Sequence, residues 1–151
     1  MNRAYIPLSF YEPEAIAHDS TLTVADATEY HFGILSSDMF MTWVRTVAGR
    51  LKSDFRLSSE LVYNTFPWPE VSDRAEQRVS ELARAVLGAR AQQQGATLAD
   101  LYDTSSMPAV LVRAHTSLDK AVASLYGRST LPTELTRQAK LFDRYTVLTQ
   151  T

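Results

Sequence analysis

No cysteine occurs among the 151 residues. Disulfides, thiolate metal sites and thiol nucleophiles are thereby excluded, a composition that fits a cytoplasmic protein. Glycine is scarce and scattered, five in all, and no glycine-rich phosphate loop can be assembled from it. There is no Gly-x-Ser-x-Gly nucleophile elbow. The three histidines, His18, His31 and His115, stand far apart without zinc-ligand spacing. No apolar run is long enough to span a bilayer, and the N-terminus lacks the basic-then-apolar form of a signal peptide. No membrane partner is expected. The net charge of −2 gives no argument for nucleic acid by itself.

What is present is an ordinary core composition with an uneven charge pattern. Hydrophobic residues make up 45% and charged ones 21%, so a packed core is expected rather than wholesale disorder. Residues 1–38 carry one basic side chain, Arg3, against Glu12, Glu14, Asp19, Asp26, Glu29 and Asp38. Residues 43–56 reverse this, with Arg45, Arg50, Lys52 and Arg56 against Asp54 alone. A local basic island can contact phosphates on a chain whose total charge is negative. It can equally be a solvated helix face.

The element pattern changes along the chain. "AYIPLSF" and "STLTV" read as two short strands, too few to make a stable sheet without partners. A helix is predicted from about Ser37 to Leu51, with Phe40, Trp43, Val44, Val47 and Leu51 on one face. Arg45 and Lys52 share a side if that helix runs so far. "FRLSSELVYNTF" reads as extended chain ended by Pro67 and Pro69. Beyond Pro69 the period becomes helical. Asp73 and Glu76 have capping-box spacing before a stripe of Val79, Leu82, Ala83, Val86 and Leu87 that runs to about Gln93. A short helical turn falls in "QQQGATLADLYD". A longer helix after Pro108 carries Leu111, Ala114, Leu118, Ala121, Val122 and Leu125 and ends at Gly127. A last helix after Pro132-Thr133 puts Leu135, Ala139, Phe142 and Tyr145 on one side. The expected fold class is α+β: a small partial α/β subdomain over 1–69, then an all-helical unit over 70–151, mostly α overall.

No general acid and base come together in this pattern. His115 sits within a helix beside its apolar stripe and reads as a structural histidine. "NTFPWP" lacks the adjacent prolines after Asn that position an extruded base in amino-methyltransferases, and is rejected as a catalytic loop. The remaining constellation is "GRLKSDFR", Gly49 to Arg56. On extended chain Lys52 and Asp54 project to one side. Lysine can donate to guanine O6 and N7, and aspartate can accept from the cytosine amino group, so the pair can read one G·C pair in the major groove. An ordinary surface Lys–Asp pair, worth little, fits the two residues as well.

Longer strings carry a more specific signal. "FGILSSDMFMTWVRTVAGRLKSDFRLSSELVYNTFPWP" resembles the end of the target-recognition domain of MmeI-like enzymes. These are single-chain DNA adenine methyltransferases of the type IIL restriction-modification class, often fused to a nuclease. "TLADLYD", "MPAVLVRAHTSLDKAVASLYG" and "AKLFDRY" resemble the helical C-terminal segment of the same family, so the likeness spans roughly residues 30–146. It departs from the family at Phe40, where histidine is usual, and at Leu57, where tyrosine is usual.

The resemblance implies a DNA-recognition fragment whose methyltransferase core, with any nuclease, lies upstream of Met1. Double-stranded DNA and that core are the implied partners. S-adenosylmethionine is the implied cofactor of the parent enzyme, with none held by this chain. The resemblance implies a base-reading segment that carries Lys52, Asp54 and Arg56, with Lys52 and Asp54 at the positions that vary with the base read; with Arg45 and Arg50 of the basic island and Ser58 these are the candidate DNA-binding residues. Tyr63, Phe66 and Trp68 are expected to pack a rigid exit from the reading segment rather than to stack on bases. The competing reading is a helical docking module with no direct DNA contact.

Overall fold

The computed structural model describes residues 3–19, 21–51, 54–128 and 130–150; for 49–51 and 54–56 it describes the backbone alone. The fold is mostly helical. Its elements are α1 (Glu29–Leu35), α2 (Asp38–Val47), β1 (Gly49–Leu51), β2 (Asp54–Arg56), a π-helical turn (Ser59–Tyr63), α3 (Asp73–Ala91), α4 (Leu98–Leu101), α5 (Ala109–Ser124) and α6 (Glu134–Thr149).

Helix packs on helix throughout. α1 lies against α3, α3 against α5, and α2 against α6. The core is continuous across residue 70: Ile34, Met39, Trp43 and Val44 share it with Val79, Val86, Leu111, Leu118, Val122 and Leu141. α1 and α2 are buried almost all round, through Tyr30, Phe32, Ile34 and Leu35 and then Met39 to Val44. α1 approaches α3 closely at Gly33. A Cβ there would lie 2.7 Å from Val79 Cγ1 and 3.3 Å from Ala83 Cβ, so α1 seats its backbone against α3.

Local chemistry sets the helix ends. Ser37 Oγ accepts from the Phe40 N–H at 3.4 Å, and α2 stops where Ala48 turns extended. At α3 the cap is Ser72, whose Oγ accepts from Ala75 N–H at 3.3 Å; Asp73, read as the cap from its spacing to Glu76, is instead the first helical residue. Gly127, at φ +144°, follows α5 as expected of a helix terminator.

The α/β subdomain expected over 1–69 is not formed. "AYIPLSF" and "STLTV" contain no strand among the described residues. Tyr5, Ile6 and Leu8 instead lean on the helical core as irregular chain, and Ile16 is 99% exposed. Strand propensity expresses itself only against a pleated partner, and the chain offers none there. The run Val62–Phe66 fails as a strand for the same reason. Ser58 Oγ caps a π-helical turn by accepting from Leu61 N–H at 3.3 Å, and Thr65 Oγ1 donates back to Leu61 O at 2.7 Å. Burial of Val62 and Phe66 holds the turn in place. Among the described residues strand pairing is confined to one antiparallel hairpin, β1 with β2, in the register Gly49↔Arg56, Arg50↔Phe55 and Leu51↔Asp54.

α6 meets the core on a face rotated from the one its apolar spacing suggests, although Phe142 and Tyr145 still meet the Trp43 ring at 5.6 and 5.7 Å. Leu135 is 74% and Phe142 44% exposed, while Leu141 is fully buried. The inward neighbours of Leu141 are polar: Arg137 and Gln138 bond α2, and Arg144 bonds the chain at Trp68. Hydrogen bonds to these three outweigh the hydrophobic stripe.

The close approach at Gly33 makes a direct stability test. Gly33→Ala is expected to destabilise the protein by about 1–3 kcal/mol, through overpacking against Val79. Gly88→Ala, in open space within α3, is expected to stabilise by about 0.5–1 kcal/mol. Urea midpoints of the two variants decide this: equal and small shifts would remove the close contact from the account.

Candidate nucleic-acid interface

The hairpin emerges directly from α2 through Ala48. Three of the six candidate residues lie on its strands: Arg50 opposite Phe55, Asp54 opposite Leu51, and Arg56 opposite Gly49. Lys52 lies outside the described residues. Ser58 follows the hairpin, and its hydroxyl is taken up as the cap of the π-helical turn. A stretch of nine positions, 50–58, therefore holds five of the six.

Arg45 stands apart from them. α2 ends at Val47, so the helical alignment of Arg45 with Lys52 does not arise. The Arg45 side chain is 22% exposed and bonds Glu134 Oε2 at 3.3 Å and the Arg3 carbonyl at 3.1 Å. It ties α2 to α6 and to the N-terminal segment.

The base from which the hairpin springs is held by groups that carry no sequence motif. At the start of α2, the Asp38 N–H donates to Asp119 Oδ1 at 2.9 Å, and the Tyr5 hydroxyl donates to Asp119 Oδ2 at 2.6 Å. Arg137 approaches Asp38 Oδ2 at 3.6 Å. Burial first, and the neighbouring Asp38 charge second, push the Asp119 carboxyl up to about 7. Burial also raises Asp38, against the pull of Arg137. Two carboxyls thus share one guanidinium at the mouth of a cleft of about 660 Å³, which Lys120, Arg128 and Leu131 also line.

The exit from the hairpin region is pinned as firmly. Trp43 Nε1 donates to Thr65 Oγ1 at 3.1 Å, Tyr126 O–H to the Pro67 carbonyl at 2.9 Å, and Arg144 Nε to the Trp68 carbonyl at 3.0 Å. The Phe66 ring meets those of Phe40 and Trp68 edge-on, at 5.1 and 5.4 Å. Phe66 is buried, and Tyr63 and Trp68 pack against the core. These aromatics serve packing.

His115 is structural. It is fully buried, stacks on Tyr5 with ring centroids 4.0 Å apart, and its Nε2 lies 2.7 Å from the Tyr102 oxygen. That oxygen accepts from Arg90 Nε at 2.8 Å and from its terminal nitrogen at 2.5 Å, which leaves the Tyr102 proton for His115. Burial first and Arg90 second lower the imidazole to about 4, so it is neutral near pH 7. Arg90 also donates to the Leu8 carbonyl and fastens the N-terminal segment. Among the described residues no group of His, Asp and Glu is placed to hold a metal ion.

Comparison with known proteins gives this arrangement its context. The model of the MmeI target recognition domain matches residues 1–70, and that of the MmeI C-terminal domain matches residues 71–151. DNA methyltransferase A of Bacillus subtilis (strain 168) is 41% identical over 149 residues, which are 99% of this chain and 17% of that protein. The solved structure of the type IIL restriction-modification enzyme MmeI in complex with DNA superposes with a TM-score of 0.80 and 44% identity. It covers 83% of this chain and 17% of its own. The chain belongs to the MmeI family, with the family's target recognition domain model on its first half and the C-terminal domain model on its second. It spans about a sixth of the length of these relatives.

The buried carboxyl at position 119 predicts a pH dependence. Its folded pKa lies above the ordinary 3.8, so its stabilising share is complete below about pH 4 and is lost as pH rises through 7. Asp119→Asn keeps an acceptor for Asp38 N–H and a partner for Tyr5 but cannot ionise. Relative to the parent, this variant is expected to gain on the order of 1–3 kcal/mol between pH 5 and 8. Denaturant midpoints across that range check the sign; a parallel pH profile for the two proteins would contradict it.

Proposed function

We propose that this chain is the DNA-recognition portion of an S-adenosylmethionine-dependent DNA adenine methyltransferase of restriction-modification type, and that the Gly49–Arg56 hairpin reads the bases. The observation that carries the reading is the hairpin itself. It is a two-stranded ribbon whose strands carry Arg50, Arg56 and Asp54, set on a buried helix in a chain of the MmeI family. The major groove of B-DNA admits such a ribbon. Base contacts specify and phosphate contacts position, so Lys52 and Asp54 take the first role and Arg50 and Arg56 the second. Ser58 keeps the chain leaving the ribbon in register. Arg45 enters the interface only by exchanging Glu134 for a phosphate; otherwise it acts as a strut.

Residues 1–69 serve recognition and 70–151 form the helical unit that supports them. Cofactor binding and methyl transfer belong to a methyltransferase core in the same cytoplasmic polypeptide. Arg45's engagement with Glu134 favours a second reading, in which the chain is a docking module without direct DNA contact.

The two readings separate on one experiment. In the full-length protein, Lys52→Asp combined with Asp54→Lys is expected to change the preferred base pair at one position of the recognised sequence. Discrimination there is worth about 1–3 kcal/mol per good contact. Arg50→Ala is expected to weaken binding to all sequences alike and to lower the salt dependence by roughly one phosphate contact. Sequencing of DNA modified by each variant gives the motif. An active charge-swapped protein that keeps its original motif would show that these two residues do not read bases, and unchanged binding and salt dependence in Arg50→Ala beside it would favour the docking reading.

A further inference from the structure

α2 and α6 meet through a pattern of polar bonds that packing alone does not require. Asp38, Thr42, Arg45 and Thr46 fall on one side of α2, and Glu134, Arg137 and Gln138 on one side of α6. Thr42 Oγ1 donates to its own helix at Asp38 O, at 2.8 Å, and accepts from Arg137 Nε at 3.1 Å. Thr46 Oγ1 repeats this one turn on, donating to Thr42 O at 2.8 Å and accepting from Gln138 Nε2 at 3.1 Å. Each hydroxyl thus spends its proton within α2 and turns its lone pairs to α6. Back-bonding of this kind slightly weakens and bends a helix, and valine would fill the same space without it. The hydroxyls are therefore best understood by what they accept.

The donors are fixed in turn. Arg137 also reaches Asp38 at 3.6 Å and the Leu131 carbonyl at 3.3 Å, so its guanidinium joins both ends of the approach of α6 to α2. Thr46 is the next-to-last residue of α2, three positions before β1 begins. Leu141 anchors α6 in the core behind these contacts. Apolar packing sets a distance between helices but tolerates sliding and rotation; paired directional bonds on adjacent turns do not.

Resting on the hairpin's proposed reading role, we infer that Arg137 and Gln138 are positioning residues for sequence discrimination. Through Thr42 and Thr46 they set the rotation and tilt of α2, and so the angle at which the hairpin meets the groove. They touch no base. Loosening them leaves the preferred sequence intact but blunts its margin over near-matches, because mismatch rejection needs a ribbon that cannot tilt to accommodate.

The test uses the full-length protein with Arg137→Gln, Gln138→Leu and the milder Thr46→Val, and with Leu141→Val as a control that weakens α6 without touching the polar contacts. The readout is methylation of the recognised sequence relative to one-base variants of it, at a temperature where all the proteins are folded. The margin is expected to fall about tenfold in Arg137→Gln and less in Thr46→Val, the preferred base being unchanged. Leu141→Val is expected to lower the thermal midpoint and leave the margin alone. An undiminished margin in Arg137→Gln and Gln138→Leu, or an equal loss in Leu141→Val, overturns the inference. The paired Lys52→Asp and Asp54→Lys exchange separates the two levels. If it shifts the motif while the α6 variants keep the margin, only the positioning role fails. If it leaves the motif of an active protein untouched, the reading role fails and takes the positioning role with it.

Discussion

A ten-residue helix is marginal in water, and α2 has to be more than marginal because the hairpin hangs from its end. What makes it rigid is enclosure. Met39, Phe40, Met41, Trp43 and Val44 are buried on its several sides. Its N-terminal amide is closed by the carboxyl of Asp119, from a helix more than eighty residues further on. That one bond joins the start of the recognition segment to the tail, and Tyr5 brings the N-terminal strip to the same carboxyl. The cost is a buried acid at a helix N-terminus beside a second acid. The guanidinium of Arg137 moderates both, and that of Arg45 adds to its pull on Asp38.

The same economy recurs at Arg90. One arginine side chain holds the Tyr102 hydroxyl, the Leu8 carbonyl and the face of the Phe32 ring, 5.0 Å from its centroid. The N-terminal strip, which has no helix or strand among its described residues, is attached to α3 through Arg90, to α1 through Phe10 against Phe32, and to α5 through Tyr5 against Asp119 and His115. Two of its carbonyls are met by arginine side chains rather than by a neighbouring strand, Leu8 by Arg90 and Arg3 by Arg45, and two of its amides close local turns, Ala15 to Glu12 and Thr21 to His18.

Much of the tail was legible in the sequence. α3 and α5 are long and strongly periodic, and Val79, Leu111, Leu118 and Val122 lie buried as their spacing suggests. α1 was not legible. Seven residues give no measurable period, and a helix buried all round shows no polar face to contrast with. The orientation of α6 is only partly legible, because the amphipathic rule ranks Leu135 and Phe142 above Arg137 and Gln138, whereas hydrogen bonds hold Arg137 and Gln138 against α2. The strand propensity over 1–69 misleads, since it has meaning only where a partner strand is available to pair with. The charge pattern draws attention to the Gly49–Arg56 segment, in which the structure pairs Gly49–Leu51 with Asp54–Arg56, but it does not foretell the strands. No local signal could have paired Asp38 with Asp119 or Thr46 with Gln138, since bonds between residues eighty or ninety positions apart leave no spacing to find.

The continuous core has a bearing on protein engineering. Ile34, Met39 and Trp43 from one side of residue 70 interlock with Leu111, Leu118 and Leu141 from the other. A chimera joined near residue 70 would bring together two half-cores shaped for different partners, with Gly33 and Val79 in contact across the join. The hairpin, by contrast, begins and ends within eight residues and is attached at Ala48 and Leu57. The transplantable unit of such a protein is thus a short ribbon set on a fixed platform, rather than either of the two segments that its sequence divides into.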